Sequence, residues 1–202
     1  MASLAMVQAT TLETVQRYAV NAGVLVANVD FSSVTDAATF LAAAKKTPAN
    51  LLGATSGTTD ISEGRKNWSP DHNDLRTPWK GAQWLDTAQP SIKTKLVEMT
   101  ANNLKLASGG ADIEGEDTNA ITIKPRTTYK DEDYKTITWF TNYGTNGIIA
   151  ATLKNALCTT GINFQADDKK VGTCEVEFLG HADSAVATEY LPIEYHIYKS
   201  ST

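Results

Sequence analysis

Residues 135–157 read KTITWFTNYGTNGIIAATLKNAL, two runs dense in threonine, isoleucine and aromatic side chains, joined by a turn with two glycines. β-branched and aromatic residues suit the pleated, half-buried surface of a sheet, and glycine supplies the turn. Shorter runs of the same kind recur along the chain. GVLVANVD (residues 23–30) reads as a buried strand, and LLGATSG (51–57) as a short strand entering a turn. Residues 84–99 read as a strand interrupted at Pro90, residues 120–124 as one stopped by Pro125, and IEYHIY (193–198) as the last. About seven or eight strands with two or three short helices predict a β-rich sandwich or barrel.

The expected helices carry end signals. Thr10 with Glu13 makes a capping box, predicting a short helix over residues 12–20. Residues 35–47 are alanine-rich, with Thr35 or Asp36 to cap the start and two lysines near the end before Pro48. Thr100 caps ANNLKLAS, Gly109 ends it, and Met99 and Leu104 occupy the two staple positions. The acidic run IEGEDTN (113–119) reads as a solvated loop.

Between residues 58 and 83 the pattern lapses. The stretch is polar, holds two prolines and shows neither a period of 2 nor one of 3.6. Connections of that length are usually functional or disordered. Trp68 and Trp79 favour a contact surface over plain disorder.

Composition narrows the function classes. The chain has 202 residues, 42% hydrophobic and 20% charged, enough for one packed domain. A net charge of −5 argues against a non-specific phosphate-backbone binder, which needs a basic surface. No run approaches the roughly 20 apolar residues that span a bilayer. The first sixteen residues have no basic segment and no sustained apolar run, so no signal peptide is expected. His72, His181 and His196 stand outside any HExxH, CxxC or HxH spacing, and no P-loop, GxSxG or GxGxxG occurs, so neither metal nor cofactor is expected. A Cys158, His181 and Asp183 triad is conceivable, since such groups need only meet in space, but a cysteine on a strand is more often packing.

Residues 148–183 read best as a hairpin. Cys174, Val176 and Phe178 alternate with Thr173, Glu175 and Glu177, and Ala151 and Leu153 with Thr152 and Lys154. A register placing Lys154 beside Glu175 or Glu177 keeps like faces together. Cys158 then falls on the polar face and Cys174 on the apolar one. Two reduced, unpaired thiols follow; a disulfide would need a bulge or a different register.

Several blocks, in order, resemble the tail tube, or major tail, proteins of long-tailed bacteriophages and related prophage particles. They are NAGVLVANVD (21–30), LLGATSG (51–57), LVEMTANNLKLASGGADI (96–113), ITIKPR (121–126), Trp139 with Phe140, and IIAATLKNALCTTG (148–161) leading to VEFLGHAD (176–183). The resemblance covers most of the chain and rests on order and spacing. It implies a structural virion protein with no catalytic or metal site: a single domain, a β-sandwich with a flanking short helix, an N-terminal arm (1–22) and a long assembly loop (58–83). It implies hexameric rings joined into a continuous inner β-barrel and stacked into a tube through which DNA passes without specific binding. The partners implied are further copies, a tape measure protein, a tail terminator and baseplate or distal tail proteins, with no membrane. The place implied is the virion tail, with assembly in host cytoplasm. On that reading Glu63, Arg65, Lys66, Trp68, Asp71, Asp74, Arg76, Trp79 and Lys80 are candidates for contact between subunits or rings. Lys93, Lys95, Glu98, Lys154, Glu175 and Glu177 are candidates for the lumen. Two alternatives stay open: an extracellular β-sandwich binding module, and a small hydrolase using Cys158.

Overall fold

The computed structural model describes residues 19–47 (backbone only for 19–22), 50–70, 80–115, 120–144, 147–166, 168–169, 171–183 and 189–199. In chain order these form β1 (Ala19–Ala27), α1 (Ala37–Lys46), β2 (Leu51–Ser62), β3 (Lys66–Trp68), β4 (Trp84–Thr87) and β5 (Ser91–Leu96). Then come α2 (Ala101–Ala107), β6 (Ala111–Glu114), β7 (Thr122–Pro125), a 3-10 turn (Asp131–Asp133), β8 (Lys135–Tyr143), β9 (Gly147–Cys158), β10 (Asn163–Gln165), β11 (Thr173–Gly180) and β12 (Ile193–Tyr198). The chain is mainly β, as its sequence predicts.

Six strands close on themselves. The order β11-β5-β2-β1-β8-β9 is antiparallel throughout, and β9 returns to β11 to shut the barrel. β10 hangs from β11 and β12 from β9. Two ribbons stand apart, β3 with β4 and β6 with β7. Inside the barrel Leu25, Leu52, Ile92, Leu96, Ile137, Leu153, Val176 and Phe178 form one core. A second core lies outside the wall, where α1 sets Phe40 on Val26, Phe140, Ile148, Ala150 and Tyr198. The Phe40 ring stacks on Phe31 at 4.3 Å and meets Phe140 edge-on at 5.0 Å.

The helix signals act as expected. Asp36 accepts from the Thr39 amide while the Thr39 hydroxyl serves the Asp36 amide, so α1 starts with a reciprocal cap. Thr100 accepts from the Asn103 amide at the head of α2. The buried Asn103 side chain then donates to the carbonyls of Leu52 and Glu98, both at 2.8 Å, tying α2 to β2 and to the segment after β5.

Other expectations need correction. Ala19 and Val20, expected to be helical, lie in β1, because the backbone of β1 pairs with β8 down to Tyr143; residues 12–18 lie outside the described residues. The patternless stretch is not one loop. β2 continues to Ser62, for after Gly57 the chain swings out and pairs again with β5, Ile61 opposite Ile92. The next segment folds into β3 and β4. Ile113 and Glu114, expected in a loop, form the second half of β6, opposite Ile123 and Thr122 of β7.

The expected hairpin is also different. β9 and β11 pair over only three positions, Phe178 with Cys158, Leu179 with Leu157 and Gly180 with Ala156. Beyond them β11 runs past the end of β9, and Glu175 and Glu177 stand opposite Lys95 and Lys93 of β5. Lys154 instead pairs with Glu194 of β12. Opposite β8, one extra residue enters β9 between Leu153 and Ala156, and Asn155 takes φ 46°. This bulge flips the parity. Cys158 therefore points inward and shares the barrel core with Cys174.

Gly23 interrupts β1 with φ +88°, and a Cβ there would stand 2.2 Å from Trp139 Nε1. Gly57 has φ +72° but open space around it. Gly23→Ala should cost roughly 2 kcal/mol or more, strain and overlap together, and Gly57→Ala clearly less, since only strain applies. Urea midpoints for the two variants check this ordering.

Candidate assembly surfaces

The outer face of β2, β5, β11 and β10 carries a charge ladder. Because side chains alternate along a strand, the buried Ile92, Thr94, Leu96, Cys174, Val176 and Phe178 leave Lys93, Lys95, Glu175 and Glu177 on the opposite face. Asp60 of β2 stands opposite Lys93. Lys93 Nζ lies 3.0 Å from Glu175, and Lys95 Nζ donates to Gln165 of β10 at 2.9 Å. The hydrogen bond from Lys93 holds Glu175 below the usual carboxylate range, and the same bond raises Lys93. A depressed carboxylate favours the fold above its unfolded value and stops doing so as pH falls through the folded one. A raised lysine favours it below its unfolded value. The pair is therefore complete at neutral pH and lost first in acid.

Four of the six lumen candidates thus come together. Glu98 does not join them: it follows β5, against Gly53, and accepts from the Ala54 amide at 3.4 Å. Lys154 lies on another part of the wall with Glu194, whose second oxygen is 3.6 Å from His196 Nε2.

The second surface is the β3–β4 ribbon. Every residue of both strands is exposed. Trp68 is 57% exposed and Trp84 52%, and their ring centroids are 5.5 Å apart. Leu85 is exposed beside them. At the root Glu63 pairs with Arg65, and the Gln89 amide reaches the Gly64 carbonyl at 3.4 Å. Lys66 lies on β3, and Lys80 is exposed in the turn before β4. Asp71, Asp74, Arg76 and Trp79 lie outside the described residues. Sequence reasoning missed Trp84 as a contact candidate. Its signal was WLDT just before Pro90, which reads equally well as the start of a core strand.

Cys158 and His181 of the conceivable triad have contacts of their own. Cys158 is 2% exposed, within the barrel core, and its thiol lies 3.5 Å from the Thr160 hydroxyl. His181 stands beside the bulge, its Nδ1 3.1 Å from the Asn155 carbonyl and its ring edge-on to Tyr134. Burial pushes the Cys174 thiol up, away from the reactive thiolate. No group of three or more His, Cys, Asp or Glu that could hold a metal occurs among the described residues. No helix among them is long and apolar enough to cross a membrane. No protein-family model and no curated protein matches the chain.

Both cysteines are unpaired. Native protein should resist iodoacetamide and yield two alkylated thiols only on unfolding. Rapid labelling of the folded chain would contradict the inward placement of Cys158.

Proposed function

We infer that the protein is a tail tube subunit of a long-tailed bacteriophage or a related prophage particle. The observation that carries this reading is the β3–β4 ribbon. A two-stranded ribbon is marginal alone in water, and this one sets two tryptophans and a leucine in solvent. Such a surface calls for a partner. Arg65, Lys66 and Lys80 with Glu63 and Asp86 give it both signs of charge for pairing with another copy.

The charge ladder supports the same reading. A conduit for DNA must not hold the phosphates. Lysines answered by glutamate, aspartate and glutamine on adjacent strands offer no continuous basic stripe, so little counterion release is available to drive binding. On this reading the ladder faces the lumen of a hexameric ring, and the ribbon reaches the next ring. That contact uses two different surfaces, so stacking continues without closing. A tape measure protein, a tail terminator and baseplate or distal tail proteins would meet the tube along its bore and at its ends. The tube belongs to the virion tail, after assembly in host cytoplasm.

The test follows from the ribbon's exposure. Replacing residues 65–88 by a short turn keeps β2 and β5 whole, whereas removing 58–83 would take Ile61 from the barrel. The shortened chain should keep its circular dichroism and melt near the parent, while sedimentation velocity shows that long assemblies are lost. Trp68→Ala with Trp84→Ala should weaken assembly in the same sense, with little change in stability. Assemblies of parental length from the shortened chain would refute the ribbon's role.

A further inference from the structure

A hollow of about 820 Å³ lies over the charge ladder. Ser56 and Thr58 of β2, Lys93 and Lys95 of β5, Gln165 of β10 and Glu175 of β11 line it. Hydroxyl, amide and ammonium groups are the donors with which proteins hold phosphate oxygens. Carboxylates oppose them here. Glu175 stands opposite Lys95 in the register, yet Lys93 Nζ reaches across to it at 3.0 Å. Lys95 Nζ donates to the neutral Gln165 amide at 2.9 Å. One carboxylate therefore occupies Lys93 and stands beside Lys95.

Each strand adds its own charges around that pair. β2 brings Asp60, opposite Lys93, and β11 brings Glu177, also opposite Lys93. β10 brings the neutral Asn163 and Gln165, and the turn between β10 and β11 carries Asp168 and Lys169, one of each sign. Of the three carboxylates near Lys93, Glu175 acts on it most strongly, ahead of Glu177 and Asp60. The Lys93 and Glu175 side chains are 46% and 23% exposed. An exposed pair contributes little to stability, so neutralising it spares the fold. It does decide whether an anion finds a free ammonium group. A glutamate fixed within reach of the lysine competes at high effective concentration, and an arriving phosphate must displace it.

We propose that this hollow is a latent nucleic-acid phosphate site, which Glu175 keeps shut by occupying Lys93 and repelling the phosphate that would reach Lys95. The choice of nucleic acid rests on the conduit reading above; the site itself belongs to a single chain. One carboxylate per copy then separates a surface that lets DNA pass from one that holds it.

Fluorescence anisotropy of a short labelled DNA duplex tests this. At low salt Glu175→Gln should bind the duplex about tenfold tighter than the parent, with a salt dependence steeper by about one phosphate contact. Glu194→Gln makes the same change of net charge beside Lys154, which shares its hollow with Asp30, and should stay near the parent. Adding Lys93→Gln to Glu175→Gln should return binding to the parent's level. Circular dichroism checks that each variant folds. Should Glu175→Gln not fold, Glu177→Gln opens the same hollow from the position opposite Lys93 and should tighten binding in the same sense. Glu175→Gln and Glu177→Gln that bind no tighter than Glu194→Gln overturn the proposal, as does a gain that survives Lys93→Gln. If that happens in a chain that forms tubes, the conduit reading stands. Tighter binding by a Glu175→Gln chain that forms neither rings nor tubes upholds the latent site and removes the conduit.

Discussion

The structure depends on a three-position seam between β9 and β11. Those pairs convert an open eight-stranded sheet into a closed barrel, and they exist because β9 bulges at Asn155. The bulge turns Ala156 and Cys158 inward, bends the strand and delivers its end to β11. Without it Lys154 and Cys158 would share a face, and the inward side would lose the methyl and thiol that fill the top of the barrel. The strain at Asn155 is held by hydrogen bonds: its carbonyl accepts from the His181 amide at 3.2 Å and lies 3.1 Å from His181 Nδ1. His181, which sequence alone offers as a catalytic base, is better understood as a brace for the seam.

Much of the fold was legible because local and tertiary preferences agree. Capping by Asp36 and Thr100 involves residues three apart, and the alternation in TCEVEF maps directly onto buried and exposed faces. Two of the failures share one cause, an irregularity within a strand. Residues 58–62 look irregular because the chain departs from β5 at Gly57 and returns to it at Asp60, which breaks the period of two while keeping the strand. The cysteine faces were misplaced by a single extra residue in β9. One-residue insertions reverse every side chain beyond them, and composition carries no mark of them.

The candidate surfaces were legible to different degrees. Lys93, Lys95, Glu175 and Glu177 were picked out one strand at a time, and the β5–β11 register brings them together. Lys154 and Glu98 share their chemistry and not their place. Trp68 announced itself by lying in a polar stretch, whereas Trp84 was concealed by its nearness to β5. A closed barrel satisfies its interior without help, so what remains exposed is informative. Among the described residues, the neutralised polar wall and the aromatic ribbon are the exposed features that the proposed assembly would use.

The most direct test of that account is negative-stain electron microscopy of the purified chain at high concentration, with sedimentation velocity on the same sample. The account predicts rings or hollow tubes whose bore admits a DNA duplex, and a boundary far heavier than the 21.8 kDa chain. A single monomer boundary at every concentration, with featureless globules in the images, would contradict it.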